Sequence, residues 1–238
     1  MKRSFSADLR KFLRDNPHAW WALYLPIYLI GFFTVEHFVD GSGGYWVSWI
    51  PLDDKIPFLE GFVLAYYAWF PLLAGTGIYL LLRDGPAFRR YMQFIAIGFT
   101  LSTLICAFFP NGQDMRPVVF THHNVFTFLV SMIYSADTNT NVFPSVHVVG
   151  CLAAIFAYFD SAQLKKLRIP AILLSLFITC STVFIKQHSA LDIFGAMALC
   201  LPIWVLMRIV RRKDLRHETK ETIVSQKNSP AGAGDQET

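Results

Sequence analysis

Ala190-Leu-Asp-Ile-Phe-Gly-Ala-Met-Ala-Leu-Cys-Leu-Pro-Ile-Trp-Val-Leu-Met-Arg-Ile-Val210 carries two charges, Asp192 near its start and Arg208 near its end, and is otherwise almost wholly apolar. About 20 apolar residues in a helix cover the ~30 Å hydrocarbon core of a bilayer, so this run reads as a membrane span. Comparable runs occupy 20–39, 61–82, 91–109, 144–159 and 171–185. Six such segments predict an all-α, polytopic helix bundle. Composition agrees: 54% of the 238 residues are hydrophobic and 16% charged, where a soluble domain carries about a quarter charged. The first run contains Glu36 and His37 and no small-residue cleavage pattern follows it, so it is expected to stay in the mature protein.

Orientation follows from the basic residues. Five Lys and Arg precede the first run, three lie in 83–90, three in 165–168 and seven from Arg208 onward; Lys55, Arg116 and Lys186 complete the 21. Cytoplasmic loops accumulate Lys and Arg, so both termini are expected in the cytoplasm and the sparse loops outside. The net charge of +4 is then a topological bias and gives no reason to invoke nucleic acid as a partner. Residues 1–16 alternate charge with Phe5, Leu9, Phe12 and Leu13, the pattern of a short amphipathic helix on the inner leaflet or of a plain topology anchor. Residues 17–212 form the membrane domain. From Lys213 the chain turns polar and reaches Pro230-Ala-Gly-Ala-Gly, so 213–238 is expected to be a disordered tail. Cys106, Cys151, Cys180 and Cys200 fall inside the spans without CxxC spacing, which favours packing over disulfides or metal.

Ionisable groups beside hydrocarbon are costly and therefore informative. His188 and Asp192 are four apart and on a helix would share a face, so that the carboxylate holds one ring nitrogen and leaves the other for a substrate. A satisfied hydrogen bond at a helix end is the plain alternative. His147 follows Pro144 and Ser145, a combination that starts a helix with a capping hydroxyl and free amide donors, and such a terminus attracts phosphate. Two imidazoles, one backed by a carboxylate, can move a phosphoryl group through a phosphohistidine. Arg116, in the long segment between the third and fourth runs, can grip two phosphate oxygens or remain a solvated loop residue. Lys186, just before His188, poses the same choice against snorkelling to the interface. His122-His123 lacks a convincingly spaced third ligand, which favours an interfacial role over metal. Asp137-Thr-Asn-Thr-Asn141 reads as a turn cap that could also reach a head group. Glu36 and His37 read as boundary residues or as lining for a substrate entrance.

These residues resemble the type 2 phosphatidic acid phosphatase superfamily, whose outer-face motifs are KxxxxxxRP, PSGH and SRxxxxxHxxxD. Here the first is Phe109-Pro-Asn-Gly-Gln-Asp-Met-Arg116-Pro117, the second Pro144-Ser145-Val146-His147, and the third Ser181-Thr182-Val-Phe-Ile-Lys-Gln-His188-Ser-Ala-Leu-Asp192. Phenylalanine stands for the family's lysine, valine for its glycine and Thr182 for its arginine. The resemblance implies His188 as nucleophile, Asp192 as its orienting partner and His147 as the acid for the leaving oxygen. It further implies Arg116, Ser145 and the amides near Val146 as phosphoryl ligands. With the cations at Phe109 and Thr182 missing, Lys186 is the nearest substitute. No metal or organic cofactor is implied.

The expected activity is hydrolysis of a lipid phosphate or diphosphate at the outer leaflet. The FPSxH and HSxxD wording is also similar to inositol phosphorylceramide and sphingomyelin-type synthases, which pass a head group to an alcohol, so phosphotransfer is the second reading. A transporter or catalytically silent scaffold is the third, suggested by the missing cations. The compact size suggests a bacterial plasma membrane.

Overall fold

The computed structural model describes residues 5–39 and 42–228. Among the described residues the chain is all-α apart from one two-stranded sheet among the loops. In order, α1 is Phe5–Asp15, α2 Tyr24–Phe38, α3 Val63–Tyr67, α4 Trp69–Arg83, α5 Gly85–Phe108, α6 Val125–Ala136, α7 Val146–Asp160, α8 Arg168–Phe184 and α9 Ala190–Asn228. Strands β1 (Trp46–Val47) and β2 (Asn111–Gly112) pair in parallel.

Five helical stretches are long and apolar enough to cross a membrane: Pro17–Phe38, Glu60–Arg83, Gly85–Phe108, Lys165–Phe184 and Ala190–Arg216. They mark the chain as an integral membrane protein. The run at 144–159, expected as a sixth span, is the shorter α7. At ~1.5 Å per residue it rises less than a hydrocarbon core. A second short apolar helix, α6, stands where the sequence suggested a long loop. Its start is set by a capping box: the Asn124 side chain accepts from the Phe126 and Thr127 amides, and Thr127 Oγ1 accepts from the Asn124 amide.

α7 is the centre of the bundle. Its Val149, Ala153, Phe156 and Ala157 are buried against Phe94, Ile95 and Phe99 of α5 and against Ala196, Cys200 and Ile203 of α9. Between helices in lipid, association depends on close packing more than on expulsion of water, which is why small residues recur on the central helix. Gly150 is the clearest case, since a Cβ there would stand 2.6 Å from the indole nitrogen of Trp69. At Gly195 of α9 a Cβ would meet the Phe143 ring at 2.3 Å, so this glycine lets the loop before α7 lie on α9.

The two ends of the bundle differ in chemistry. At one, Arg90 donates to Asp160 at 2.8 Å and to Asp214 at 2.7 Å, Arg89 reaches Asp214 at 2.6 Å, and Arg211 reaches Asp160 at 3.1 Å. His18 Nε2 lies 3.1 Å from the Leu81 carbonyl at this same end, so the N-terminal segment and the far part of α9 lie together. These ties carry α9 past the expected stop at Lys213. Far from being disordered, 213–228 continues the helix, because no glycine or proline interrupts its Lys-, Arg- and Glu-rich sequence before Pro230. The rest of that tail and residues 1–4 lie outside the described residues. The four cysteines are unpaired, three buried and Cys180 exposed.

Candidate functional site

The histidines gather at the opposite end. α8 stops in a Schellman motif: the Lys186 amide donates to Val183 and the Gln187 amide to Thr182, with Lys186 at φ 55° in the left-handed region. The His188 amide also donates to the Thr182 carbonyl, at 3.0 Å. Two residues later α9 begins in a capping box. Ser189 Oγ accepts from the Leu191 amide at 3.0 Å, and Asp192 Oδ2 accepts from the Ser189 amide at 2.9 Å. The same Oδ2 lies 3.2 Å from His188 Nδ1. The expected His188–Asp192 pair is therefore present, but His188 is in the joint between helices and not on a helical face. The carboxylate reaches back as part of the cap. Because Asp192 accepts from Nδ1, Nε2 is the ring nitrogen left without a partner among the described residues.

Asp192 is fully buried and takes a third hydrogen bond from Ser48 Oγ. Ser48 follows β1, and its amide donates to Gly112 at the end of β2, so the small sheet exists to carry a hydroxyl onto this carboxylate. Asp53, equally buried, accepts from Ser189 Oγ at 2.6 Å and from the Ala190 amide at 2.8 Å. It supplies anionic charge to the positive end of α9.

Ser145 is the N-cap of α7, and its Oγ faces the Val148 amide at 3.5 Å. Its own amide donates to the Asp192 carbonyl at 3.3 Å, which ties the starts of α7 and α9 together. The amides of Val146 and His147 have no hydrogen-bond partner among the described residues. Asn111 holds the approach to this turn: its Oδ1 accepts from the Phe143 amide at 2.7 Å and its Nδ2 donates to the Phe109 carbonyl at 2.8 Å. Gln113 holds the other motif through the Lys186 carbonyl, at 2.9 Å.

The rings of His147 and His188 stand 5.6 Å apart, centroid to centroid. His147 lies between Tyr66 and Trp69, at 4.4 and 4.7 Å, and Trp69 Nε1 donates to the His147 carbonyl at 2.9 Å. No hydrogen bond engages the His147 ring nitrogens or His188 Nε2 among the described residues. Two imidazoles with nitrogens free of hydrogen bonds among the described residues thus stand close together at the starts of two helices, whose amides and dipoles favour an anion.

Two expected phosphate ligands are not free cations. Arg116 caps the C-terminal end of α6, donating to the carbonyls of Tyr134, Asp137 and Thr138 at 3.4, 3.0 and 2.5 Å, with its guanidinium 4.4 Å from the Tyr134 ring. Orphan carbonyls at a helix end attract a cation, and here they capture it. Lys186 donates to the carbonyls of Asp53 and Ile56 at 3.0 and 2.6 Å. Its left-handed backbone turns the ammonium to the 53–56 loop, so it does not take the place of the two cations that the resembled motifs carry. Burial lowers its pKa, against the opposing charges of Asp53 and Asp54. At the departures themselves, Thr182 is fully buried with its hydroxyl on the Thr179 carbonyl, while Phe109 is half-exposed and packs on Trp46.

A carboxylate instead comes close. Asp137, at the end of α6, accepts from Gln187 Nε2 at 3.2 Å and lies within charge–charge range of His188, Glu36 and Arg116. Desolvation pushes its carboxyl up to about 6. Glu36 of α2 holds the following loop, accepting from Thr138 and from Asn141 Nδ2 at 3.0 Å. Asp137 is the C-cap residue of α6, and the cap of α7 is Ser145. His122 and His123 are exposed in the loop before α6.

Ser48, Asp53, Asn111, Gln113, Tyr66 and Trp69 were not singled out from the sequence. They are ordinary polar and aromatic residues far along the chain from the motifs, and only Asn111 and Gln113, inside the first motif's spacing, carried a local signal. No family model matches the chain, and no curated protein or solved structure is significantly similar to it.

Proposed function

We propose that this protein is a metal-independent histidine lipid phosphatase or phosphotransferase, related to the type 2 phosphatidic acid phosphatases that its motifs resemble. The observation that carries the reading is the meeting of His147 and His188 at 5.6 Å, with His188 held through Nδ1 by the buried Asp192. In the first half-reaction His188 Nε2 attacks phosphorus and the bond to the lipid oxygen breaks. His147, as imidazolium, gives that oxygen its proton. Asp192 stabilises the positive charge on His188, and the Val146 and His147 amides bind the phosphoryl oxygens. In the second half water or an alcohol attacks, the P–N bond breaks, and His147 takes the proton back. With Arg116 and Lys186 occupied, the two helix starts supply the positive potential.

The topology that fits is six crossings with both termini in the cytoplasm. α7 needs no full hydrocarbon length because protein surrounds it, and its flanking irregular backbone is satisfied by neighbouring loops. The basic end then faces inward and the histidines face the outer leaflet, in a bacterial plasma membrane. The test is turnover of a panel of lipid phosphates and diphosphates by the purified full chain, wild type beside His188→Ala, following free phosphate and lipid products together. Release or transfer that depends on His188 supports the reading. Equal activity in both proteins, or none with any member of the panel, refutes it and leaves a transporter or scaffold.

A further inference from the structure

We propose that Asp137 and Gln187 form a polar subsite beside His188 that holds a hydroxyl group, either of the substrate's head group or of the alcohol receiving the phosphoryl group. This rests on the function proposed above and names the chemistry that its site selects. Gln187 immediately precedes His188 on the turn that ends α8, and only 2% of it is exposed. Its Nε2 donates to Asp137 Oδ2 at 3.2 Å, while its Oε1 is buried with no partner among the described residues. Asp137 Oδ1 takes no hydrogen bond there either. The Tyr66 hydroxyl lies next to Gln187 and within charge range of Asp137, and the Tyr66 ring packs on His147. Unfilled acceptors therefore collect within one residue of the nucleophile.

A buried acceptor without a donor is costly, and no side chain among the described residues donates to Gln187 Oε1, although the Tyr66 hydroxyl stands beside Gln187. The nearby cations are committed, Arg116 to the end of α6 and Lys186 to the 53–56 loop. A fully ionised phosphate group cannot satisfy the pair, because its oxygens only accept. A hydroxyl can: it donates to the carboxylate or to Oε1 while its oxygen lone pairs stay available. A ligand ammonium is not required, since Arg116 and His188 already oppose the charge on Asp137. The same carboxylate repels a phosphate monoester dianion, and so favours a singly charged phosphodiester whose head group bears hydroxyls, or an acceptor alcohol.

Phosphatidylglycerol and phosphatidylmethanol are matched probes, equal in charge and differing in head-group hydroxyls. Binding of each dioleoyl lipid to the detergent-solubilised full chain is measured by native mass spectrometry in a His188→Gln background, where turnover cannot confuse retention. The expected result is about tenfold tighter binding of phosphatidylglycerol, one hydrogen bond to a charged acceptor. That preference falls to within twofold in Asp137→Leu and in Gln187→Met. Glycerol added with phosphatidylmethanol separates the sources: glycerol-dependent retention that Asp137→Leu abolishes assigns the hydroxyl to an acceptor alcohol, and preference without it assigns the hydroxyl to the lipid head group. Equal binding of both lipids with no glycerol effect, or a preference that survives Asp137→Leu, overturns the subsite. Failure of the phosphohistidine reading shows separately, as absence of a His188-dependent label from phosphatidic acid carrying radioactive phosphorus.

Discussion

Replacing Asp192 by Asn tests the reading of the site at its most constrained atom group. The carboxylate accepts from His188 Nδ1 at 3.2 Å, from the Ser189 amide at 2.9 Å and from Ser48 Oγ. Asparagine keeps the shape. With its oxygen toward His188 and Ser189, its amide faces Ser48, whose hydroxyl can rotate and accept. No polar atom is then orphaned, but three charge-assisted hydrogen bonds become neutral ones, each losing about 1 kcal/mol. The capping box weakens with them, so the folded state loses roughly 2–3 kcal/mol. The chemical loss is larger, because the imidazolium formed on attack has no counterion: on the order of 10³–10⁴-fold in turnover, as for the equivalent change in a Ser-His-Asp triad. Thermal unfolding followed by intrinsic fluorescence in detergent reads the first number, and turnover normalised to folded protein reads the second. Turnover within threefold of wild type would show that the buried carboxylate only caps α9.

Three other outcomes are expected. His147→Ala should slow release of an alkyl alcohol by about 10²–10⁴-fold yet spare p-nitrophenyl phosphate far more, since that leaving group needs no proton; equal losses on both would remove His147 from the acid role. Lys186→Met should leave turnover within about threefold and cost roughly 1–2 kcal/mol of stability for its two carbonyl contacts, and a loss of phosphate affinity would return it to the site. Asp137 has a folded pKa of about 6 against an ordinary value of 3.8, so the fold prefers its protonated form. Its contribution is most favourable below pH 4, is lost as pH rises from about 4 to 6, and is flat above, a span of about 3 kcal/mol. His188, Glu36, Arg116 and Gln187 surround it, and Asp137→Asn should flatten that slope in equilibrium unfolding, whereas an unchanged slope assigns it to another group.

The membrane class was legible because apolar length is a property of composition along the chain, and five of the six expected runs became helices of spanning length. The two motif strings were legible because caps are local: Ser145 starts α7 and Ser189 with Asp192 starts α9, each set by residues within four positions. α6 was missed for the converse reason. Its Asn124–Thr127 box was readable, but a 12-residue apolar helix is too short for the length rule that identified the others.

The sequence by itself thus determined that the chain is a helical membrane protein and that a carboxylate, Asp192, follows His188 at four residues. The tertiary structure alone decided what each polar side chain faces. It turned Arg116 to the end of α6 and Lys186 to the 53–56 loop, and brought Ser48 across 144 residues to Asp192 and Asp137 to Gln187, the residue before His188. The physical reason is that a buried polar group takes whichever partner the packed helices leave within about 3 Å. That distance is fixed by how helices distant in the chain cross, which no local pattern of residues encodes.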